Sequence, residues 1–250
     1  MRTERVEFLG VSFDLLPMDE VLDKLSRVRS GSPFSYVVTP NVDHVVRLEM
    51  SSEKETLSPL YNGAELSLCD SRILRHLARL HGLDLPLVAG SDLTVRLFDD
   101  VIGAGDRIAV IGGDVELLEQ LRSRFPQLEI VHHSPPMGLR HNKAAKAEAA
   151  RFVAQAQARF IFLAVGSPQQ EMIAAEAKAQ GATGVALCIG ASLDFITGRE
   201  RRAPRLLQRL SLEWAYRLFA DPRRMWRRYL VEGPRVFVMA AKFRRSGSRG

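Results

Sequence analysis

Six short apolar runs rich in β-formers alternate with longer stretches of helical periodicity along this chain, and few folds accommodate that order. The runs are residues 36–39, 66–69, 107–112, 128–132, 160–165 and 185–189. Between or before them lie amphipathic patterns at about 19–29, 73–81, 92–101, 115–125, 142–158 and 169–180, the first following Pro17, a residue suited to opening a helix. Strands joined by crossover helices predict an α/β fold with a Rossmann-like, doubly wound, mostly parallel sheet. The chain has 250 residues, 46% of them hydrophobic, enough for one sizeable domain or a domain with an appendage.

After Gly198 the alternation gives way to helix-like segments, roughly 204–219 and 222–242, interrupted at Asp221-Pro222 and Gly233-Pro234. A boundary near Gly198 therefore divides a core, residues 1–198, from a C-terminal appendage, residues 199–250. The appendage holds 15 Lys or Arg against 4 Asp or Glu, so it carries +11 of a total of +6 and leaves the core at −5. Both tryptophans, Trp214 and Trp226, fall among these arginines. Aromatic anchors between arginines suit an anionic surface, lipid or nucleic acid, and equally a basic helix that covers the core. The last residues, RRSGSRG, have no apolar partner and are expected to fray. No uninterrupted apolar run exceeds six residues, which argues against a spanning helix, and MRTERVEFLG lacks the apolar core of a signal peptide. Cys69 and Cys188 have no CxxC or His partners, so the expected setting is reducing and cytoplasmic.

In an open parallel sheet, ligands bind beyond the carboxyl ends of the strands, and four such positions are polar. Thr39-Pro40-Asn41 combines a hydroxyl, a stiff residue and an amide that can cap the next helix; it can also be an ordinary strand-to-helix turn. Asp70 ends its run as either a general base in a cleft or the N-cap of the next helix. Gly112-Gly113, before Asp114, lets backbone NH groups approach a phosphate. Gly166-Ser167-Pro168-Gln169-Gln170-Glu171 joins a glycine turn to two amides and a carboxylate at a helix start, suited to sugar or uracil groups, although Glu171 can simply complement the helix dipole.

Several patterns are missing. No Asp-x-Asp pair occurs to hold a divalent ion under a nucleotide diphosphate, and His132-His133 lacks metal-ligand spacing and, with Ser134-Pro135-Pro136, reads as a loop. Gly103-Ala104-Gly105 precedes a strand, so it is no dinucleotide fingerprint, and neither a P-loop nor a Gly-x-Ser-x-Gly elbow is found. Those absences weigh against a nicotinamide-dependent oxidoreductase. A nucleic-acid-binding module and a catalytically inactive nucleotide-sugar-binding protein are the remaining rivals to an enzyme.

Taken in order, the motifs resemble the WecG/TagA/CpsF family of bacterial glycosyltransferases, glycosyltransferase family 26, over about residues 6–237. The similarity comprises Thr39-Pro40-Asn41, Asp70, Gly90-Ser91-Asp92-Leu93, Gly112-Gly113, the Gly166–Glu171 stretch, Gly190, Leu193-Asp194-Phe195, Gly198, Arg202-Ala203-Pro204, Glu213-Trp214 with Tyr216-Arg217-Leu218, and Asp221-Pro222-Arg223-Arg224. The resemblance implies inverting, metal-independent transfer of a hexose-type sugar from a UDP donor to a polyprenyl-diphosphate-linked acceptor in cell-surface polysaccharide synthesis. It also implies no cofactor, a peripheral place on the inner face of the cytoplasmic membrane, self-association, and no nucleic-acid partner. By position, Asp70 would be the general base, with Thr39 and Asn41 orienting the sugar. Gly112, Gly113, Gly166, Pro168, Gln170, Glu171 and Asp194 would line the donor site, and Arg217 and Arg224 would stabilise the diphosphate. The chain departs from the family where Asp-Gly is common, having Asp70-Ser71, and where an arginine often precedes Gly90 by three residues, having Leu87.

Overall fold

A computed structural model describes residues 3–200, 204, 207 and 212–243. Two four-residue strands, β1 (Arg5–Phe8) and β2 (Val11–Asp14), open the chain as an antiparallel hairpin. Leu9 and Gly10 turn it, both at positive φ, a backbone hand that matches the twist of paired strands. Helix α1 (Met18–Ser26) follows, then β3 (Ser35–Val38), α2 (Val42–Met50), α3 (Lys54–Asn62), β4 (Leu66–Ser67), α4 (Arg72–Leu80) and α5 (Gly90–Asp100). The second half runs β5 (Arg107–Gly112), α6 (Val115–Arg124), β6 (Glu129–His133), α7 (Lys143–Gln155), β7 (Phe160–Ala164), α8 (Gln169–Ala179), β8 (Val185–Cys188) and α9 (Ser192–Thr197). The hairpin and helices α2 and α3 are additions to the elements expected from periodicity, and His133, expected in a loop, is the last residue of β6.

Strands β3 to β8 form one sheet in the order β4-β3-β8-β7-β5-β6, every pair parallel. Its strands are covered on both faces, which is why they read as continuous apolar runs without alternation. On one face Tyr36, Val38, Ile161 and Leu163 meet Val45, Leu57, Leu74 and Ile173 of α2, α3, α4 and α8. On the other, Val37, Phe160 and Phe162 meet Val21, Leu93, Leu97, Leu117 and Leu193 of α1, α5, α6 and α9. Edge strand β4, only two residues long, is pinned from the hairpin: buried Asp14 accepts from the Ser67 amide at 2.7 Å and from Arg5 Nε at 2.9 Å. Arg5 in turn donates to the carbonyls of Ala64 and Glu65.

The C-terminal part comprises α10 (Glu213–Ala220), α11 (Pro222–Trp226), a π-helical turn (Arg227–Glu232) and α12 (Arg235–Lys242). The part of the first expected appendage helix before Glu213 lies largely outside the described residues, as does the terminal stretch expected to fray. Helix α12 packs on α2 and α4, with Val236 and Ala240 buried in the core, and Phe243 meets Phe8 edge-on at 5.0 Å. Among the described residues no helix is long and apolar enough to cross a membrane.

Candidate active site

Register brings the strand ends level. Val38 pairs with Ser67 and Cys188, Leu163 with Cys188, and Gly112 with Ala164. The residues that end or follow the strands form a row along the carboxyl edge: Asp70, Thr39, Gly190 and Gly166 after β4, β3, β8 and β7, and Gly112 at the end of β5. Strands β4 and β7 are three places apart, which at about 4.8 Å per strand separates their ends by about 14 Å, a span for an extended ligand.

At one end of the row, Asp70 lies beside the Thr39-Pro40-Asn41 turn, its amide donating to the Pro40 carbonyl at 3.0 Å. The cap of α4 is Ser71, whose hydroxyl accepts from Leu74 N at 3.2 Å. That settles one alternative: the partly exposed Asp70 is not the capping residue. Asn41 does cap α2, its Oδ1 accepting from the amides of Asp43 and His44, so what it can offer a ligand is its amide NH2 group. His44 completes the cap through Nδ1, which accepts from Asn41 N at 3.1 Å. Burial, together with the charges of Arg47 and Arg228, holds its imidazole neutral well below the usual histidine range. Thr39 is buried, and its hydroxyl reaches the Cys188 carbonyl only at 3.5 Å, too long for a firm bond.

Gly90 opens α5 against Thr39. A Cβ there would stand 2.9 Å from Thr39 Oγ1 and 3.4 Å from Cγ2. Gly90→Ala should therefore displace the Thr39 side chain, a buried β-branched group that can yield only by turning about χ1, at a modest cost in stability. The expected result is a fall in turnover of about 10-fold with a melting temperature within a few degrees of wild type. Unchanged turnover would detach Thr39 from the reaction.

In the middle of the row the turn after β7 is tightly bound to the protein. Gly166 has φ +76°, open to glycine, and the Ser167–Pro168 peptide is cis. Arg47 donates to the Ser167 carbonyl at 2.7 Å and to its hydroxyl at 3.2 Å, and the same hydroxyl is 2.7 Å from Tyr61 Oη. Gln170, expected to face the donor, is buried: its Nε2 donates to Glu171 Oε1 at 2.9 Å, while its Oε1 accepts from Gly190 N at 3.0 Å. It thus ties the end of β7 to the end of β8. Glu171 is also buried, and its Oε2 has no hydrogen-bond partner. The Ser167 hydroxyl lies close enough to favour the anion but is engaged with Tyr61. Burial dominates and raises the Glu171 carboxyl above its ordinary value of 4.5.

That shift has a measurable sign. Between the ordinary and the raised value the native state holds a proton that the unfolded chain has released, so stability falls as pH rises. Glu171→Gln keeps the acceptor for Gln170 and removes the titration. Its stability relative to wild type should therefore grow from pH 5 upward, by at most about 1.4 kcal/mol per pH unit, in urea unfolding at pH 5 and pH 8. A difference constant with pH would mean that Glu171 is ionised in the fold.

At the far end, Gly112 and Gly113 sit at φ +91° and +75°. A Cβ on Gly112 would stand 2.8 Å from the Ala164 carbonyl oxygen, so β5 and β7 can close here only on glycine. His132 Nε2 is 2.9 Å from the Gly112 carbonyl, and Asp114 caps α6 through Leu117 N at 2.8 Å. Arg199 grips Asp114 with two bonds, 2.6 and 2.7 Å, which with the cap lowers that carboxyl to about 2. Asp194 lies 3.8 Å from Arg199 Nε, and partial burial raises its own carboxyl. The carboxylate of Asp114 thus occupies the helix N-terminus next to the paired glycines.

The structure brings Thr39, Asn41 and Asp70 together, and places Gly166, Pro168, Gln170 and Glu171 in the adjoining turn, with Gly112, Gly113 and Asp194 beyond. Arg217 lies in α10 and Arg224 in α11; their side chains lie outside the described residues. His44, Arg47, Tyr61 and Arg228 form a polar cluster with Ser167 of the Gly166–Glu171 motif, and periodicity and motif reading gave none of these four partners a role. Among the described residues no group of three or more His, Cys, Asp or Glu is arranged to hold a metal ion.

Residues 6–250 match the glycosyl transferase WecG/TagA/CpsF family. The chain belongs to that family. It is therefore a glycosyltransferase, and membership of the WecG/TagA/CpsF family implies transfer from a UDP-sugar to a lipid-linked acceptor.

Proposed function

We propose that this protein transfers a hexose-type sugar, such as N-acetylmannosamine, its uronic acid or glucose, from UDP to a polyprenyl-diphosphate-linked acceptor, with inversion and without a metal. The observation that carries the reading is the position of Asp70, relieved of capping by Ser71 and set beside Thr39 and Asn41 on the carboxyl edge of the sheet. Asp70 takes the proton from the acceptor hydroxyl as its oxygen attacks the anomeric carbon. The bond from that carbon to the β-phosphate oxygen breaks, and UDP leaves with the electron pair. Thr39 and the Asn41 amide orient the sugar. The glycine turns at Gly166 and Gly112–Gly113, with Pro168 and Asp194, shape the wall along the donor, and buried Gln170 and Glu171 support the Gly166 turn from behind. Arg217 and Arg224 offset the charge growing on the diphosphate, a task suited to a planar cation that stays protonated.

Support for action at a membrane comes from the appendage surface. Phe219 is 85% exposed, and Trp226, Leu230, Phe237 and Val238 are each more than half exposed, among Arg223, Arg227 and Arg235. We place the enzyme on the inner face of the cytoplasmic membrane, self-association accompanying or preceding that docking. The test is a panel of UDP-sugars offered with a short-chain polyprenyl-diphosphate-sugar acceptor in the presence of EDTA. One donor should give product at a rate unaffected by the chelator. Activity abolished by EDTA and restored by Mg²⁺ or Mn²⁺ would contradict the metal-free step.

A further inference from the structure

An ion-pair cluster on α2 is not needed by the chemistry above. Asp43 stands two residues after Asn41, and its Oδ2 receives two cations: Arg228 Nη2 at 3.3 Å and Arg47 Nη2 at 3.6 Å. Arg47 is one helical turn along α2; Arg228 comes from the π-helical turn of the C-terminal part. Each of the three side chains is only a quarter to a third exposed, so water screens the cluster incompletely. Arg47 also holds Ser167 by carbonyl and hydroxyl, and Ser167 leads to Tyr61. A continuous chain of contacts therefore runs from Arg228 through Asp43 and Arg47 to the turn after β7.

A carboxylate that faces two guanidinium groups divides its attraction between them. With Arg228 seated, Asp43 is divided between them and Arg47 remains forked on Ser167. When Arg228 withdraws, the whole carboxylate is available to Arg47, which is drawn towards Asp43 and away from the turn. Removing the Asp43 charge instead leaves two cations adjacent with nothing between them.

We propose that Asp43 is a positioning residue that couples seating of the C-terminal segment to the geometry of the Gly166–Gln170 turn, through Arg228 on one side and Arg47 on the other. Its bearing on catalysis rests on the reading of that turn as part of the donor site. Coupling of this kind is reciprocal, so a ligand that orders the turn also favours seating of the segment.

The test uses hydrogen exchange of the full chain, without substrate, in wild type, Arg228→Gln, Asp43→Asn and the double variant, with Asp43→Glu and Arg228→Lys as charge-preserving controls. The amides of Gln170 and Met172, bonded to the Gly166 and Pro168 carbonyls, report the turn. Residues of α12 report the segment. Arg228→Gln, which on this proposal reaches the turn through Asp43 and Arg47, should speed exchange at Gln170 and Met172 by about 5-fold or more. Asp43→Asn should do the same, the double variant should go no further than the larger single effect, and both controls should stay near wild type. An Arg228→Gln protein whose segment loosens while the turn exchanges as in wild type would overturn the proposal, as would single effects that simply add. In parallel, the KM for UDP-sugar should rise with turn exchange. If turn exchange responds as expected and that KM does not, the coupling stands and the assignment of the turn to the donor site falls.

Discussion

Asp70→Asn is expected to lower turnover by about 100-fold or more while leaving the melting temperature and UDP-sugar binding close to wild type. The split follows from position. The backbone amide of residue 70 donates to the Pro40 carbonyl and the cap of α4 is supplied by Ser71, so the substitution leaves both in place. It removes the carboxylate proposed to take the acceptor proton in the transition state. Steady-state kinetics and isothermal binding on the same preparation check both halves. Near-normal turnover would take Asp70 out of the mechanism; lost binding would recast it as a ligand contact.

The second large effect concerns the appendage. Deleting residues 199–250 would be a poor probe, because Val236 and Ala240 are part of the core and Phe243 packs on Phe8; truncation would uncover the sheet's helical layer as well as remove the proposed docking surface. Replacing Phe219, Trp226 and Leu230 together by Ser leaves those core contacts alone. Full burial of such side chains is worth about 1.5–3 kcal/mol each, and even half of that over three residues exceeds a factor of about 30. Sedimentation with vesicles containing anionic lipid should show a loss of binding of about 30-fold or more, with secondary structure and thermal unfolding unchanged. Transfer to a detergent-solubilised short-chain acceptor should persist. Vesicle binding equal to wild type would contradict docking through these three residues.

Much of the architecture was legible because two-sided burial leaves an unmistakable trace. Phe160–Ala164 and Arg107–Gly112 are apolar almost without interruption, and the helical spacing between strands forces parallel crossovers. The hairpin was not legible. Its turn is Leu9-Gly10, without the Asn-Gly or Asp-Gly that advertises such a turn, and Leu9 accepts positive φ because its side chain is buried in the core. The position of Asp70 at a strand end could be read, but not which of Asp70 and Ser71 caps α4, since both residues favour that role and one step in register decides it. Gln170 illustrates a different limit. An amide at a helix start beside a glycine turn looks like a ligand contact, yet its bonds to Glu171 and Gly190 depend on β8 lying next to β7, a neighbour relation fixed by topology. Arg228 is further still from local reading, because its partner Asp43 lies at the opposite end of the sequence. The i, i+4 spacing of Asp43 and Arg47 was the one local sign of that cluster.

Direct displacement assisted by a single carboxylate, as proposed for Asp70, makes a stereochemical commitment. The anomeric configuration of the product, read from the anomeric proton coupling or carbon shift by NMR after transfer by the full chain in EDTA, examines it at the reacting atom. The account predicts a glycosidic bond opposite in configuration to the UDP-sugar. A product that retains the donor's configuration would contradict it.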